Sequence, residues 1–460
     1  MSRGQVVEVV QVVQAIKVNP RQDLPDEGDN LDILDDLDDL DDLDDLAPRH
    51  PCPRLMLRAT LLLLIASPLL SAAAQGTSPA VLPGVEQFLA DVPAAVRGKR
   101  VGLITNHTGV DARGTSIIDR LAATRDVKLV ALFGPEHGLR GTVPDGVKIS
   151  SGIDRKTGLP VHSLYGATRA PTPRMLANVD ALLFDMQDVG ARPYTYISTM
   201  ALAMRAAKRK GIPFVVLDRP NPIGGHIVEG AVLDTAFRSF TGIHPIALRH
   251  GLTIGELARM FNERFGIGAN LIVVPLRGWR REMWFDQTGL PWVNPSPNIR
   301  RLETAIHYPG TVFIEATNLS EGRGSNRPLE QAGAPWLRAR AVADSMNAMR
   351  LPGVRFEAVR FTPARGAAKY PGRILPGVRF VLTDRESYRP VRTALLFLDL
   401  VKRMHPNEFR WTEGGAGLDR LAGTDALRKA LEGNGLREVL TMWDRDAEMF
   451  ASLRRAYLYY

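Results

Sequence analysis

Glu136 and His137 stand at the end of an apolar run, Leu129 to Phe133, that Gly134-Pro135 brings to a stop. Such a run reads as a buried strand, and in open α/β sheets the ligand crevice forms outside the carboxyl ends of the strands. A carboxylate and an imidazole held there, with Gly138 leaving room for a ligand, are groups that can move protons or bind a polar substrate. The plain alternative is a solvated surface turn, since polar residues are common at strand ends. Three other runs carry similar tips: Asn106-His107-Thr108, Asp185-Met186-Gln187-Asp188 and Asp218-Arg219-Pro220-Asn221. Four polar tips on one sheet edge make a site there much more plausible than any tip alone.

Further candidates sit in Gly/Pro-rich loops. Asp185 to Tyr196 holds two acids, Arg192, Tyr194 and Tyr196 just before a helical period. Asn294-Pro295-Ser296-Pro297-Asn298 is a stiff loop presenting amides. Glu315 to Gly324 joins a short apolar run to a Glu321-Gly322-Arg323-Gly324 turn, with Asn318 inside it. No dinucleotide or P-loop glycine fingerprint is present, nor a zinc-protease or nucleophile-elbow motif. Histidines are scattered away from metal-ligand spacing, so neither a cofactor nor a zinc site is expected; a carboxylate cluster could still hold a hard cation weakly.

The elements that must position these residues follow from periodicity. Strands are expected at Arg100–Thr105, Lys128–Phe133, Ala181–Asp185 and Phe214–Asp218. A helix is expected over Thr195–Lys210, stopped by Gly211. This β-α-β alternation predicts an α/β fold with a Rossmann-like parallel sheet covered on both faces. Further on, Thr253 and Glu256 have the spacing of a capping box opening a helix to Phe265. Strands are expected at Leu271–Leu276, Phe313–Ala316 and Val378–Leu382, and helices at Pro335–Met349, Pro390–Met404 and Leu436–Leu458. The reading is of two domains, 80–237 and a C-terminal α/β domain over 238–460.

The first part of the chain reads differently. Residues 1–55 contain an Asp-Asp-Leu repeat and are expected to be a disordered acidic extension or a mis-assigned start. From Met56, a basic residue, a short apolar stretch and Ser71-Ala72-Ala73-Ala74 form a signal peptide over 56–74, too short for a spanning helix. This predicts a periplasmic or secreted protein without a stable membrane anchor. The one cysteine, Cys52, precedes the cleavage point, so no thiol chemistry is expected beyond it. Residues 1–54 carry 14 Asp/Glu against 5 Lys/Arg, and without them the net charge of +8 becomes +17. A basic exported protein suits an anionic partner such as a wall polymer. Its basic residues lack aromatic interleaving, so nucleic acid is not expected as a partner.

Leu132 to Gly138, Asp185 to Arg192, Asp218 to Pro222 and Asn318 to Gly324 together resemble the exo-β-N-acetylmuramidase family. The resemblance runs from about Gly84 to the end of the sequence. Ser325-Asn326 replaces the family's usual threonines, and Leu375 stands where cysteine is frequent. The resemblance implies an exo-acting glycosidase that releases N-acetylmuramic acid from the non-reducing end of peptidoglycan-derived fragments. It also implies a site in the cleft between the two domains. Glycosidases pair a proton-donating carboxyl with a second group on the opposite ring face. On this footing Glu136 is the expected acid and Glu321 the expected second catalytic carboxylate. His137, Asp185, Asp188, Tyr194, Tyr196, Asn221, Asn298, Glu315 and Asn318 are the expected sugar-binding residues. Muramic acid carries a lactyl carboxylate, which calls for an arginine fork, and Arg192, Arg323 and Arg219 are the candidates. Each has an ordinary alternative as a capped turn, a core aromatic or a structural ion pair. A non-catalytic periplasmic binding protein for wall sugars and a carbohydrate deacetylase or esterase are the rival readings.

Overall fold

The computed structural model describes residues 81–141, 143–144, 146–433 and 435–460. The expected acidic extension and signal peptide lie outside the described residues. Strands follow in chain order as β1 (Arg100–Thr105), β2 (Lys128–Gly134), β3 (Gly152–Ile153), β4 (Pro160–Ser163), β5 (Ala181–Asp185), β6 (Phe214–Leu217), β7 (Glu229–Val232), β8 (Ala247–Arg249), β9 (Leu271–Val274), β10 (Gln331–Gly333), β11 (Val354–Phe361) and β12 (Leu375–Leu382). Helices are α1 (Gly84–Ala90), α2 (Ile117–Ala123), α3 (Tyr196–Lys210), α4 (Ile254–Glu263), α5 (Leu302–Thr311), α6 (Ala339–Ala348), α7 (Pro390–Met404), α8 (Ala416–Ala422), α9 (Ala426–Gly433) and α10 (Leu436–Leu453).

The main sheet has the order β3-β4-β2-β1-β5-β6-β9, and every pairing except β3 with β4 is parallel. Alternation along its strands explains why both faces are covered. Val101, Leu103, Ala181, Leu183, Val215 and Leu217 pack into the apolar layer that includes Val85, Phe88, Ile117 and Leu121 from α1 and α2. Their neighbours Ile104, Leu182, Phe184, Phe214 and Val216 enter the opposite layer, with Met200 and Met204 of α3 and Leu257 and Phe261 of α4. A strand buried on both sides has no polar position except its ends, so polarity is forced to the tips.

Local signals hold where a cap or stop is intrinsic to the sequence. Thr253 and Glu256 form the capping box of α4, and Gly211 ends α3 in the left-handed conformation at φ 75°. Phe313–Ala316, expected as a strand, is instead part of a 3₁₀ turn, Val312–Ala316, continuing α5. A short apolar run cannot distinguish a strand from a buried helical turn. The expected domain boundary at 237/238 also cuts across the sheet. β9 lies beyond it and pairs with β6 through Phe214–Leu271 to Leu217–Val274. Beyond the main sheet, β10-β12-β11 form an antiparallel sheet against α6, and β7-β8 form a ribbon packed under α10. No helix among the described residues is long and apolar enough to cross a membrane.

Candidate active site

The ends of β1 and β5 are tied into one surface. Thr105 Oγ1 donates to the Asp185 carbonyl at 2.7 Å, and the Gln187 amide donates to Thr108 Oγ1 at 2.9 Å. Asn106 Nδ2 donates to Tyr196 OH at 2.7 Å, and that hydroxyl donates in turn to the Pro295 carbonyl at 2.7 Å. Burial pushes the Tyr196 phenol far above its ordinary range, so it stays a neutral donor. The two polar loops expected from sequence, around Tyr196 and Asn294 to Asn298, therefore meet over the tip of β1.

Glu136 lies at the centre of a ring of donors and is only 9% exposed. Thr195 Oγ1 donates to its Oε2 at 2.5 Å and the Gly146 amide to its Oε1 at 3.0 Å. Tyr165 supplies a third contact through its phenol, which burial and then the Glu136 charge push up, keeping it protonated. The register explains the tyrosine. β4 runs parallel beside β2 with Gly134 opposite Ser163, so Glu136 and Tyr165 each stand two residues beyond the same rung. Thr195, the residue before α3, does not cap its own helix because its hydroxyl is committed to Glu136. His137, at φ 68°, closes the loop, with Nδ1 2.9 Å from the Val143 carbonyl.

Asp188 and His250 make a second buried group. Asp188 Oδ2 accepts from the Gly190 amide at 2.7 Å and lies 3.7 Å from His250 Nε2. His250 Nδ1 accepts from the Leu252 amide at 3.1 Å, which places the ring proton on Nε2. Asp188 Oδ1 and His250 Nε2 have no hydrogen-bond partner among the described residues. Together they offer an acceptor and a donor to a single hydroxyl or amide. Tyr194 packs edge-on against Tyr196 and Tyr308 at 4.8 and 5.8 Å, in the core.

Several expected ligands are structural. Asp185 is fully buried and grips Arg219 through two hydrogen bonds of 2.5 and 2.9 Å, while Arg219 also donates to the Val110 carbonyl. Burial pushes the Asp185 carboxyl up against the pull of Arg219. Arg192 donates to four carbonyls, those of Ala231, Ile246, Leu421 and Ala422, and burial lowers its guanidinium to about 9. It clamps the ribbon to α8 and has no fork left for a carboxylate. Asn221 ties its own turn, donating to the Leu252 carbonyl and accepting from the Ile223 amide.

Glu321 belongs to a separate network. Its Oε2 is 2.9 Å from Lys369 Nζ, and its Oε1 is 3.6 Å from Arg323, which also pairs with Glu315 at 2.6 Å. Burial alone would push the Glu321 carboxyl up, but Lys369 and then Arg323 hold it below the usual range, so it is ionised. Lys369 also donates to the carbonyls of Ile314, Glu315 and Leu319, fixing the loop that carries Glu321. Asn318 is a strut: its side chain donates to the Glu408 carbonyl and accepts from the Arg410 amide. Asn298 is half-buried in a turn whose amide donates to Ser296 Oγ.

Asp218, at the end of β6, shows what burial of an unpaired carboxyl costs. Burial and the nearby Glu256 charge push it up to about 7, against donation from Gly255, Thr253 and Tyr460. The folded protein therefore binds a proton here that the unfolded chain releases above about pH 4. Stability contributed by this group falls as pH rises from about 4 to 7, by up to about 1.4 kcal/mol per pH unit. Asp218→Asn removes that slope. Urea midpoints across the window will show the variant gaining on the parent as pH rises; parallel curves would contradict the assignment.

Sequence reasoning did not single out Tyr165, His250 or Lys369 as site residues. β4 is too short to carry a periodic signal, and the other two depend on contacts far along the chain.

Residues 101–303 match the family model described as exo-beta-N-acetylmuramidase NamZ, N-terminal, and residues 306–460 match its C-terminal counterpart. The chain is 46% identical over 383 residues to the peptidoglycan beta-N-acetylmuramidase NamZ of Bacillus subtilis, covering 83% of this chain and 92% of that protein. Two crystal structures of DUF1343 family proteins from Bacteroides fragilis are similar. One is 37% identical with a TM-score of 0.77 and the other 31% identical with a TM-score of 0.64. Each covers 83% of this chain and 99% of its own.

Proposed function

The chain belongs to the NamZ exo-beta-N-acetylmuramidase family, and we propose that it cleaves N-acetylmuramic acid from the non-reducing end of peptidoglycan-derived fragments. It is a glycosidase. The observation that carries the reading is Glu136, buried at a strand end and fixed by Thr195, Gly146 and Tyr165. In the proposed hydrolysis protonated Glu136 gives its proton to the leaving glycosidic oxygen as the bond to the anomeric carbon breaks, and water supplies the hydroxyl that this carbon gains, its released proton restoring the acid. Glu321, held ionised, is the second carboxylate. Asp188 and His250 receive a sugar hydroxyl or the acetamido N–H.

The test uses chromogenic β-N-acetylmuramic acid and β-N-acetylglucosamine glycosides. Release from the first and little from the second supports the reading. Binding without release over hours would favour a wall-sugar binding protein, and loss of acetate without glycoside cleavage a deacetylase. We also propose that residues 56–74 direct export and are removed. Sequencing the protein recovered outside the cytoplasm should find Gln75 first; an intact Met56 segment there would overturn this.

A further inference from the structure

The arginines expected to meet the lactyl carboxylate are all engaged, which leaves the question of what distinguishes muramic acid from glucosamine. The loop after β4 supplies one more. Arg169 lies with its guanidinium carbon 3.8 Å from the centre of the Tyr165 ring and 4.3 Å from that of Phe240. The two rings are 5.9 Å apart and tilted by 51°, forming a notch that the guanidinium caps. Stacking of this kind, with a hydrogen bond from the guanidinium to the Tyr165 phenol, fixes the plane of the arginine and leaves the rest of its fork for a planar anion. Its Nη1 is shielded from solvent and has no hydrogen-bond partner among the described residues. No carboxylate is paired with it among the described ion pairs, whereas Arg219 pairs with Asp185, Arg323 with Glu315 and Glu321, and Arg192 holds four carbonyls.

Its place relative to the proton donor matters as much as its free edge. Tyr165 touches Glu136 through its phenol and meets Arg169 through its ring and, by a hydrogen bond, through the same phenol, so one side chain links the two. In N-acetylmuramic acid the scissile oxygen is on C1 and the lactyl ether on C3, one carbon removed. A cation that reads the lactyl carboxylate must therefore stand within about the width of one sugar ring from the acid. Arg169 satisfies that condition by being one tyrosine away.

We propose that Arg169, held by Tyr165 and Phe240, is the specificity-determining residue that binds the lactyl carboxylate of N-acetylmuramic acid. The assignment rests on the muramidase reading above. Arg169→Met keeps the stem packed on the two rings and removes the charge; Arg169→Lys keeps the charge and removes the planar fork. For the N-acetylmuramic acid glycoside, Arg169→Met is expected to raise KM by about 10- to 100-fold, more than it lowers kcat, with Lys intermediate.

A substrate whose lactyl group is a methyl ester provides the second arm. The parent enzyme should lose a similar factor on the ester, while Arg169→Met should treat acid and ester alike. Calorimetry with free N-acetylmuramic acid and N-acetylglucosamine, on protein whose melting matches the parent, separates the two hypotheses. If the parent cleaves neither glycoside, the muramidase reading fails. Preferential binding of the acid sugar that disappears in Arg169→Met still supports the arginine's role. Unchanged KM and unchanged discrimination between acid and ester in Arg169→Met would overturn it.

Discussion

Glu136→Gln lowers turnover of an N-acetylmuramic acid disaccharide by about two to four orders of magnitude, with the melting temperature close to that of the parent. Glutamine retains an oxygen to accept from Thr195 or Gly146 but has no proton to give a leaving group. The comparison that identifies the role is between leaving groups. A sugar alkoxide departs poorly without protonation, whereas nitrophenolate departs readily as the anion. The deficit of Glu136→Gln should therefore be much smaller on the nitrophenyl glycoside than on the disaccharide. Equal deficits on both would assign Glu136 to attack or to water activation and move the acid elsewhere. Thr195→Val, which removes one donor and keeps the shape, should show a milder version of the same pattern.

Arg219→Met destabilises the protein by about 3–5 kcal/mol, because it leaves the Asp185 carboxylate buried without its bidentate partner. The pH dependence fixes the cause. Burial already pushes the Asp185 carboxyl up with Arg219 present, and without the arginine the push is unopposed. The raised group is neutral in the folded state at low pH and must be charged or protonated at a cost at high pH. The deficit is thus greatest near neutrality and shrinks as pH falls and Asp185 takes up a proton. Asp185→Asn combined with Arg219→Met should recover much of the loss. Urea unfolding of the three variants at two pH values is the measurement. A deficit independent of pH, with no recovery in the double variant, would mean that packing of the arginine stem matters more than the pair.

These two residues show what could and could not be read from the chain. Glu136 was legible because its position is local: an apolar run stopped by Gly-Pro puts the next residue at a strand end wherever the strand lies. Asp185 and Arg219 were equally legible as strand-end residues, at the tips of β5 and β6. Their role was not, because β5 and β6 are adjacent in the sheet, and only adjacency makes the acid and the base a pair. Arg192 is the sharper case. Nothing near it in sequence says that it ends among carbonyls as far as 230 residues along the chain.

The same distinction governs the acid's surroundings. Tyr165 comes to Glu136 only because β4, four residues long, aligns parallel with β2. Lys369 reaches Glu321 from a loop between β11 and β12 that has no pattern of its own.

The sequence by itself determined the family, the parallel sheet and the tips on which the polar residues stand. It could do so because strand burial on two faces and helix caps are written in neighbouring residues. Only the tertiary structure decided which charges are paired with each other and which are left to meet a substrate. A side chain's partner is set by strand order and register, and those bring together residues that are distant in the chain. Among the candidate arginines, that sorting committed Arg192 to carbonyls and Arg219 to Asp185, and left Arg169 Nη1 beside Tyr165 without a partner among the described residues.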